Sequence, residues 1–210
     1  MPTLTDRFRG CIGGSWIGSA MGAPVEGWSR EQIDKTHGTL QELVPYEHYD
    51  NGWQRPPGTT EDGIERQKLM ATAIIQKGDR INAGDLVKVW LRDLEPERMA
   101  YKQEPFDRSL LQLARTGVPP DELGRSWPFP NVVAMARASH PLALINAGDP
   151  RGAADDTLEV GKVYAPQTSF ALRWAGLYNA ALAEALRPDA RVDSVLERAL
   201  EFARYRAECG

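Results

Sequence analysis

Thr60-Glu61-Asp62 places a hydroxyl and two carboxylates in succession, between Gly58 and Gly63, where a proline-rich loop gives way to an amphipathic stretch. Hard divalent cations such as Mg²⁺ take carboxylate, hydroxyl and water oxygens, so three such side chains can form part of a metal shell. The same residue types favour the N-cap and first turn of a helix, where they accept from free N–H groups and sit against the positive end of the dipole. The local pattern leaves both roles open. Another carboxylate, Glu26, stands between Pro24 and Trp28 at the end of a glycine-rich segment, either as a site residue or as a solvated turn.

The elements that must position these groups are helical. Leu69, Met70, Ala73 and Ile74 make an apolar stripe directly after the acidic run, with Lys77-Gly78 as its stop. Leu86, Val87, Trp90, Leu91 and Leu94 make another, on a helix starting near Asn82. Phe170, Trp174, Leu177, Tyr178, Ala181 and Leu182 continue the period up to Arg187-Pro188. Val192, Val195, Leu196, Ala199, Leu200 and Ala203 repeat it, with Asp189 or Asp193 as candidate caps. Convincing period-2 alternation is absent. These patterns predict an all-α fold, a single helical domain over residues 1–210.

A first helix is expected over Asp6 to Met21, although it contains Gly10, Gly13, Gly14 and Gly18, with Gly22 just beyond. Interior glycines cost about 0.5–1 kcal/mol each, so close backbone approach must compensate. Tight packing against another helix is the expected reason, with a ligand face as the alternative. Two long segments, Gly38 to Gly58 and Arg125 to Asn131, are rich in proline and aromatic residues. Loops of that kind in a compact domain are often functional.

Composition narrows the function classes. The chain has 210 residues, 42% of them hydrophobic, enough for one substantial core. Its 25 basic and 29 acidic residues are interspersed, leaving no basic stripe to track nucleic acid. Cys11 and Cys209 are the only cysteines and match no zinc spacing, and no stretch reads as an export signal or membrane span. A cytoplasmic protein with neither nucleic-acid nor membrane partners is expected.

Taken together, Phe8-Arg9-Gly10-Cys11-Ile12-Gly13-Gly14, Gly18-Ser19-Ala20-Met21-Gly22-Ala23-Pro24-Val25-Glu26 and Thr60-Glu61-Asp62 resemble the opening of the ADP-ribosylglycohydrolase family, the group of the dinitrogenase reductase-activating glycohydrolase. The likeness continues through Asn131, Met135 and Pro141 and the alanine-rich run from Leu177 to Ala185. It implies a compact all-α orthogonal bundle with a pair of Mg²⁺ ions. Residue by residue, it implies Glu26 as acid/base or water-positioning carboxylate and Thr60, Glu61 and Asp62 as metal ligands. Asn131 falls in the segment that surrounds ADP-ribose. Trp127 and Phe129 either stack on adenine or anchor their loop in the core.

The sequence departs from that pattern in three places. Ser19 stands where the family has an aspartate, Glu61 replaces the first acid of Thr-Asp-Asp, and the late Asp-x-Asp-[Ser/Thr] run has no counterpart before Gly210. Asp155-Asp156-Thr157 falls too early to replace it and is expected to be an exposed helical turn. The resemblance thus corresponds to about the first two-thirds of the family's length. It implies a Mg²⁺-dependent hydrolase of N- or O-glycosidic ADP-ribosyl linkages, acting on an ADP-ribose-containing small molecule or an ADP-ribosylated protein. With half of the metal site missing, the chain is expected to need an added C-terminal segment, a complementing chain or a homo-oligomer for activity, or else to be a catalytically degenerate module that binds ADP-ribose or a nucleotide, or a helical interaction module. His37, His48 and His140 are expected to be packed or solvated.

Overall fold

A computed structural model describes residues 2–47, 52–96 and 105–208, so His48, Tyr49 and Cys209 lie outside the described residues. Ten α-helices, three short 3₁₀ turns and one two-stranded ribbon make up the regular structure among them. The helices are α1 (Leu4–Gly22), α2 (Arg30–His37), α3 (Asp62–Lys77), α4 (Ala83–Asp93), α5 (Pro105–Arg115), α6 (Ala134–Ala138), α7 (His140–Ile145), α8 (Pro150–Val160), α9 (Phe170–Ala185) and α10 (Val192–Glu208). The all-α expectation holds. Strands β1 (Tyr46–Glu47) and β2 (Gln54–Arg55) pair antiparallel, Tyr46 opposite Arg55. No described helix is long and apolar enough to cross a membrane.

Local signals explain most boundaries. Thr3 and Asp6 form a capping box that starts α1, and Asn82 with Asp85 does the same for α4. Gly78, at φ 69°, ends α3 in the left-handed conformation that glycine adopts without penalty. Helix α2 was not expected from periodicity, since it buries nothing, yet Ser29 and Gln32 form a third capping box at its start.

The main core lies among α3 to α9 and is filled by Trp90, Leu86, Leu110, Leu123, Leu142 and Leu172. Two expected stripes face differently from the pattern. On α9, Phe170 is 65% exposed, Trp174 50% and Tyr178 38%, whereas Ala171, Ala175, Gly176, Asn179, Ala180 and Ala183 are buried. Small side chains let α9 approach α8 closely, so the core side is the alanine face; size of an apolar residue does not dictate its burial. On α10, Val192, Leu196 and Leu200 are likewise exposed while Phe202 is buried beside Ala154 and Ala180. Leu91 of α4 also faces outward.

Several buried polar groups pair across elements. Asp156, expected to lie on an exposed turn, is buried in α8, where it accepts from Arg80 Nε and Asn146 Nδ2, both at 2.7 Å. Thr157 Oγ1 accepts from Asn179 Nδ2 at 2.6 Å, tying α8 to α9.

Two glycines should respond oppositely to alanine. A Cβ on Gly124 would lie 2.2 Å from Ala165 N and 2.5 Å from Lys162 O, rigid backbone atoms, whereas one on Gly10 meets nothing within 4 Å. Urea unfolding should therefore show Gly124→Ala destabilised by about 2 kcal/mol or more and Gly10→Ala stabilised by about 0.5–1 kcal/mol; equal effects would refute this packing.

Candidate functional site

A cavity of about 560 Å³ opens between α1 and α3. Gly14, Gly18 and Gly22 form its α1 wall, Gly63, Ile64 and Gln67 its α3 wall, and Glu26 stands at the end of α1's short 3₁₀ extension, Ala23–Val25. A Cβ built on any of those three α1 glycines would meet no heavy atom within 4 Å. The expected tight packing is thus absent on this face. The glycines instead leave a flat backbone wall along open space, spaced at four residues so that they share one side of the helix.

The acidic run sits at the start of α3. Glu61 occupies the N-cap position but makes no side-chain cap bond. Its backbone N–H instead donates across to Ser19 Oγ of α1 at 3.1 Å. Its carboxylate is buried and accepts from the Tyr46 hydroxyl. Burial, followed by this acceptor, pushes the Tyr46 phenol well above its ordinary range. Glu61 and Glu26 both line the cavity, although they come from different elements.

Asp62 is differently committed. Its Oδ1 accepts from Gly63 N–H at 2.8 Å, while Oδ2 meets Arg137 Nη2 at 3.0 Å and also pairs with buried Arg66. Arg66 in turn holds Asp107 through both carboxylate oxygens. Thr60 is half-buried immediately before Glu61. Among the described residues no group of three or more His, Cys, Asp or Glu side chains is placed to hold a metal ion. As arranged, the donors of Thr60, Glu61 and Asp62 do not fit a Mg²⁺ shell, because two guanidinium groups already neutralise the Asp62 carboxylate and Mg²⁺ demands near-octahedral oxygen ligation.

Trp127 and Phe129, expected either to stack on adenine or to anchor their loop in the core, lie apart from this cavity, as does Asn131. Trp127 packs edge-on against Phe106, ring centroids 4.9 Å apart, and lines a separate cavity of about 740 Å³ with Arg108 and Arg115. Phe129 and Asn131 are exposed. None of the three lines the glycine-walled cavity, and Met135 belongs to the core.

Sequence reasoning missed the groups opposite the glycine wall. His140 is buried, with Nδ1 3.1 Å from Gln67 Nε2 and Nε2 2.9 Å from the Tyr178 hydroxyl. Gln67 Nε2 gives its two hydrogens to Ser15 Oγ at 2.8 Å and to the Arg137 carbonyl at 2.9 Å. The available signal was Gln67 itself, a polar residue interrupting a stripe at three-residue spacing between Ile64 and Met70. Burial pushes the His140 imidazole down to about 4, partly opposed by the Arg137 carbonyl.

Comparison with known proteins follows this geometry. The family model for the ADP-ribosylglycohydrolases matches residues 1–209. An uncharacterized protein of Archaeoglobus fulgidus is 27% identical over 126 residues, covering 58% of this chain and 40% of that protein. The match thus spans less than half of the relative's length.

The His140 environment generates a pH dependence. The ordinary imidazole value is 6.5 and the folded one about 4, so the unfolded chain binds the proton more strongly in between. This contribution is fully present above pH 6.5 and is lost as pH falls toward 4, by roughly 3 kcal/mol in all. Denaturation of the parent and His140→Asn across that range should show a flatter pH dependence in the variant; parallel profiles would contradict a neutral buried imidazole.

Proposed function

Because this chain belongs to the ADP-ribosylglycohydrolase family, we propose that it hydrolyses an ADP-ribosyl linkage, N- or O-glycosidic, in the cavity between α1 and α3. The observation that carries this reading is the convergence of Glu26 and Glu61 on one cavity beside a flat glycine wall. The cavity volume falls in the range of small-molecule sites. An ADP-ribosylated protein or an ADP-ribose-containing small molecule is the proposed substrate.

Hydrolysis at the ribosyl anomeric carbon needs a water for the incoming oxygen, a base for its proton and negative charge near an oxocarbenium-like centre. Glu26, which lines the cavity, orients the water and takes its proton as the new C–O bond forms. The glycosidic bond breaks with its electron pair going to the leaving group, which takes up a proton from solvent. Glu61, held by Tyr46 and anchored through Ser19, supplies fixed negative charge near the ribosyl ring. The glycine wall allows the sugar to approach the α1 backbone. A pair of Mg²⁺ ions, as in the family, would supply Lewis-acid activation, but the donors present do not fit the ion.

The commitment of Asp62 to Arg66 and Arg137 favours a second reading, a module that binds ADP-ribose without turnover. Release of free ADP-ribose from an ADP-ribosylated protein, followed chromatographically with and without Mg²⁺, separates the two. Glu26→Gln should lower the rate about a hundredfold or more while leaving ADP-ribose affinity within about threefold. Release undiminished in the variant would remove Glu26 from the mechanism, and tight ADP-ribose binding with no release under any condition would select the second reading. Titrating Mg²⁺ into the protein should give no saturable heat; a saturable site would mean that Asp62 leaves its arginines.

A further inference from the structure

The outer face of α9 carries a row of aromatic side chains that the core does not use. Phe170, Trp174 and Tyr178 follow at four-residue spacing, so they share one side of the helix, and all three are exposed. Contiguous aromatic surface left in water marks a place of contact, because covering it is favourable.

The row starts at the glycine-walled cavity. Tyr178 lines that cavity together with Ala136 and Arg137 of α6, and α6 packs against α9. Trp174 stands one turn, about 6 Å along the axis, from Tyr178 toward the start of α9, and Phe170 one turn further. Neither outer ring lines the cavity itself. The aromatic surface therefore leads outward from the candidate site along a single helix face.

The two outer rings make a corner. The centroids of Phe170 and Trp174 are 5.8 Å apart and their planes 74° apart. One ring offers a flat face while the other stands beside it as a wall, a shape that accepts a planar ring stacked on the first with its edge against the second. An ADP-ribosyl group has one planar ring system, its adenine, and the diphosphate holds that base away from the reacting ribose. A ribosyl centre near Glu26 and Glu61 thus leaves the base outside the glycine-walled cavity, on a linker long enough to cross a helical turn.

We propose that Trp174 is a specificity-determining residue of the hydrolase site, stacking the adenine of an ADP-ribosyl ligand on its indole, with Phe170 as the side wall. The identity of the ligand rests on the hydrolase reading. Every base has a π-face, so this contact selects a nucleotide-bearing sugar over a simple sugar phosphate and does not select adenine over other bases.

Calorimetric titration of the parent, Trp174→Ala and Trp174→Phe tests the assignment, on a side chain whose exposure leaves the core intact in both variants. ADP-ribose should bind Trp174→Ala about fivefold or more weakly than the parent, with most of the affinity kept in Trp174→Phe. Ribose 5-phosphate, which lacks the base, should not distinguish the three proteins. Equal ADP-ribose affinity in the parent and Trp174→Ala, or an equal loss for ribose 5-phosphate, would overturn the assignment of Trp174 alone. Sedimentation velocity showing a self-associating parent and a monomeric Trp174→Ala would overturn it too, by making the row a contact between copies of the chain. Failure of the parent to bind ADP-ribose would instead overturn the hydrolase reading and the ligand assigned with it.

Discussion

The buried guanidinium of Arg66 is the constraint on which the site depends. Removing a cation from water costs several kcal/mol, a cost that only well-placed opposite charge and hydrogen bonds offset. Asp62 supplies one carboxylate from the first turn of α3, and Asp107 supplies the other from α5. The guanidinium also lies 5.3 Å from the Phe106 ring centre, on the ring that carries Trp127. One ion cluster thus fixes the start of α3 relative to α5 and the loop beyond it. Glu61 and Gln67 flank that cluster in sequence and inherit its precision.

This commitment separates two adjacent acids by role. Glu61 turns toward the cavity, Tyr46 and Ser19, whereas Asp62 turns toward arginine. A linear motif of three oxygen-bearing residues gives no hint of that divergence, because successive side chains at a helix start point in directions about 100° apart. Tyr46 of β1 claims the Glu61 carboxylate, whereas Arg66 of α3 and Arg137 of α6 claim that of Asp62.

The same distinction governs how much of the molecule was legible. Asn82 and Gly78 announced the ends of α4 and α3 because caps are local chemistry. The all-α class followed from period alone, and Glu26 and Glu61 were marked by motif. The orientation of α9 was not legible, since Phe170, Trp174 and Tyr178 form a better apolar stripe than the alanines that actually meet α8. His140 and Gln67 escaped notice because their pairing joins residues 73 positions apart. The loop aromatics left two roles open in the sequence, adenine stacking or anchoring of the loop, and Trp127 packs against Phe106 at the core.

Helix α1 buries only Ala20, so little apolar area holds it against the remainder of the protein. Its attachment to α3 runs instead through two serine hydroxyls, Ser15 to Gln67 and Ser19 to the Glu61 amide, at the margin of the cavity. Water competes well for such bonds. An occupant touching both walls adds the contact surface that the glycines withhold, and excludes that water. An occupant of that cavity would thus help to seat α1, the first helix of the chain, through contacts that the glycines withhold.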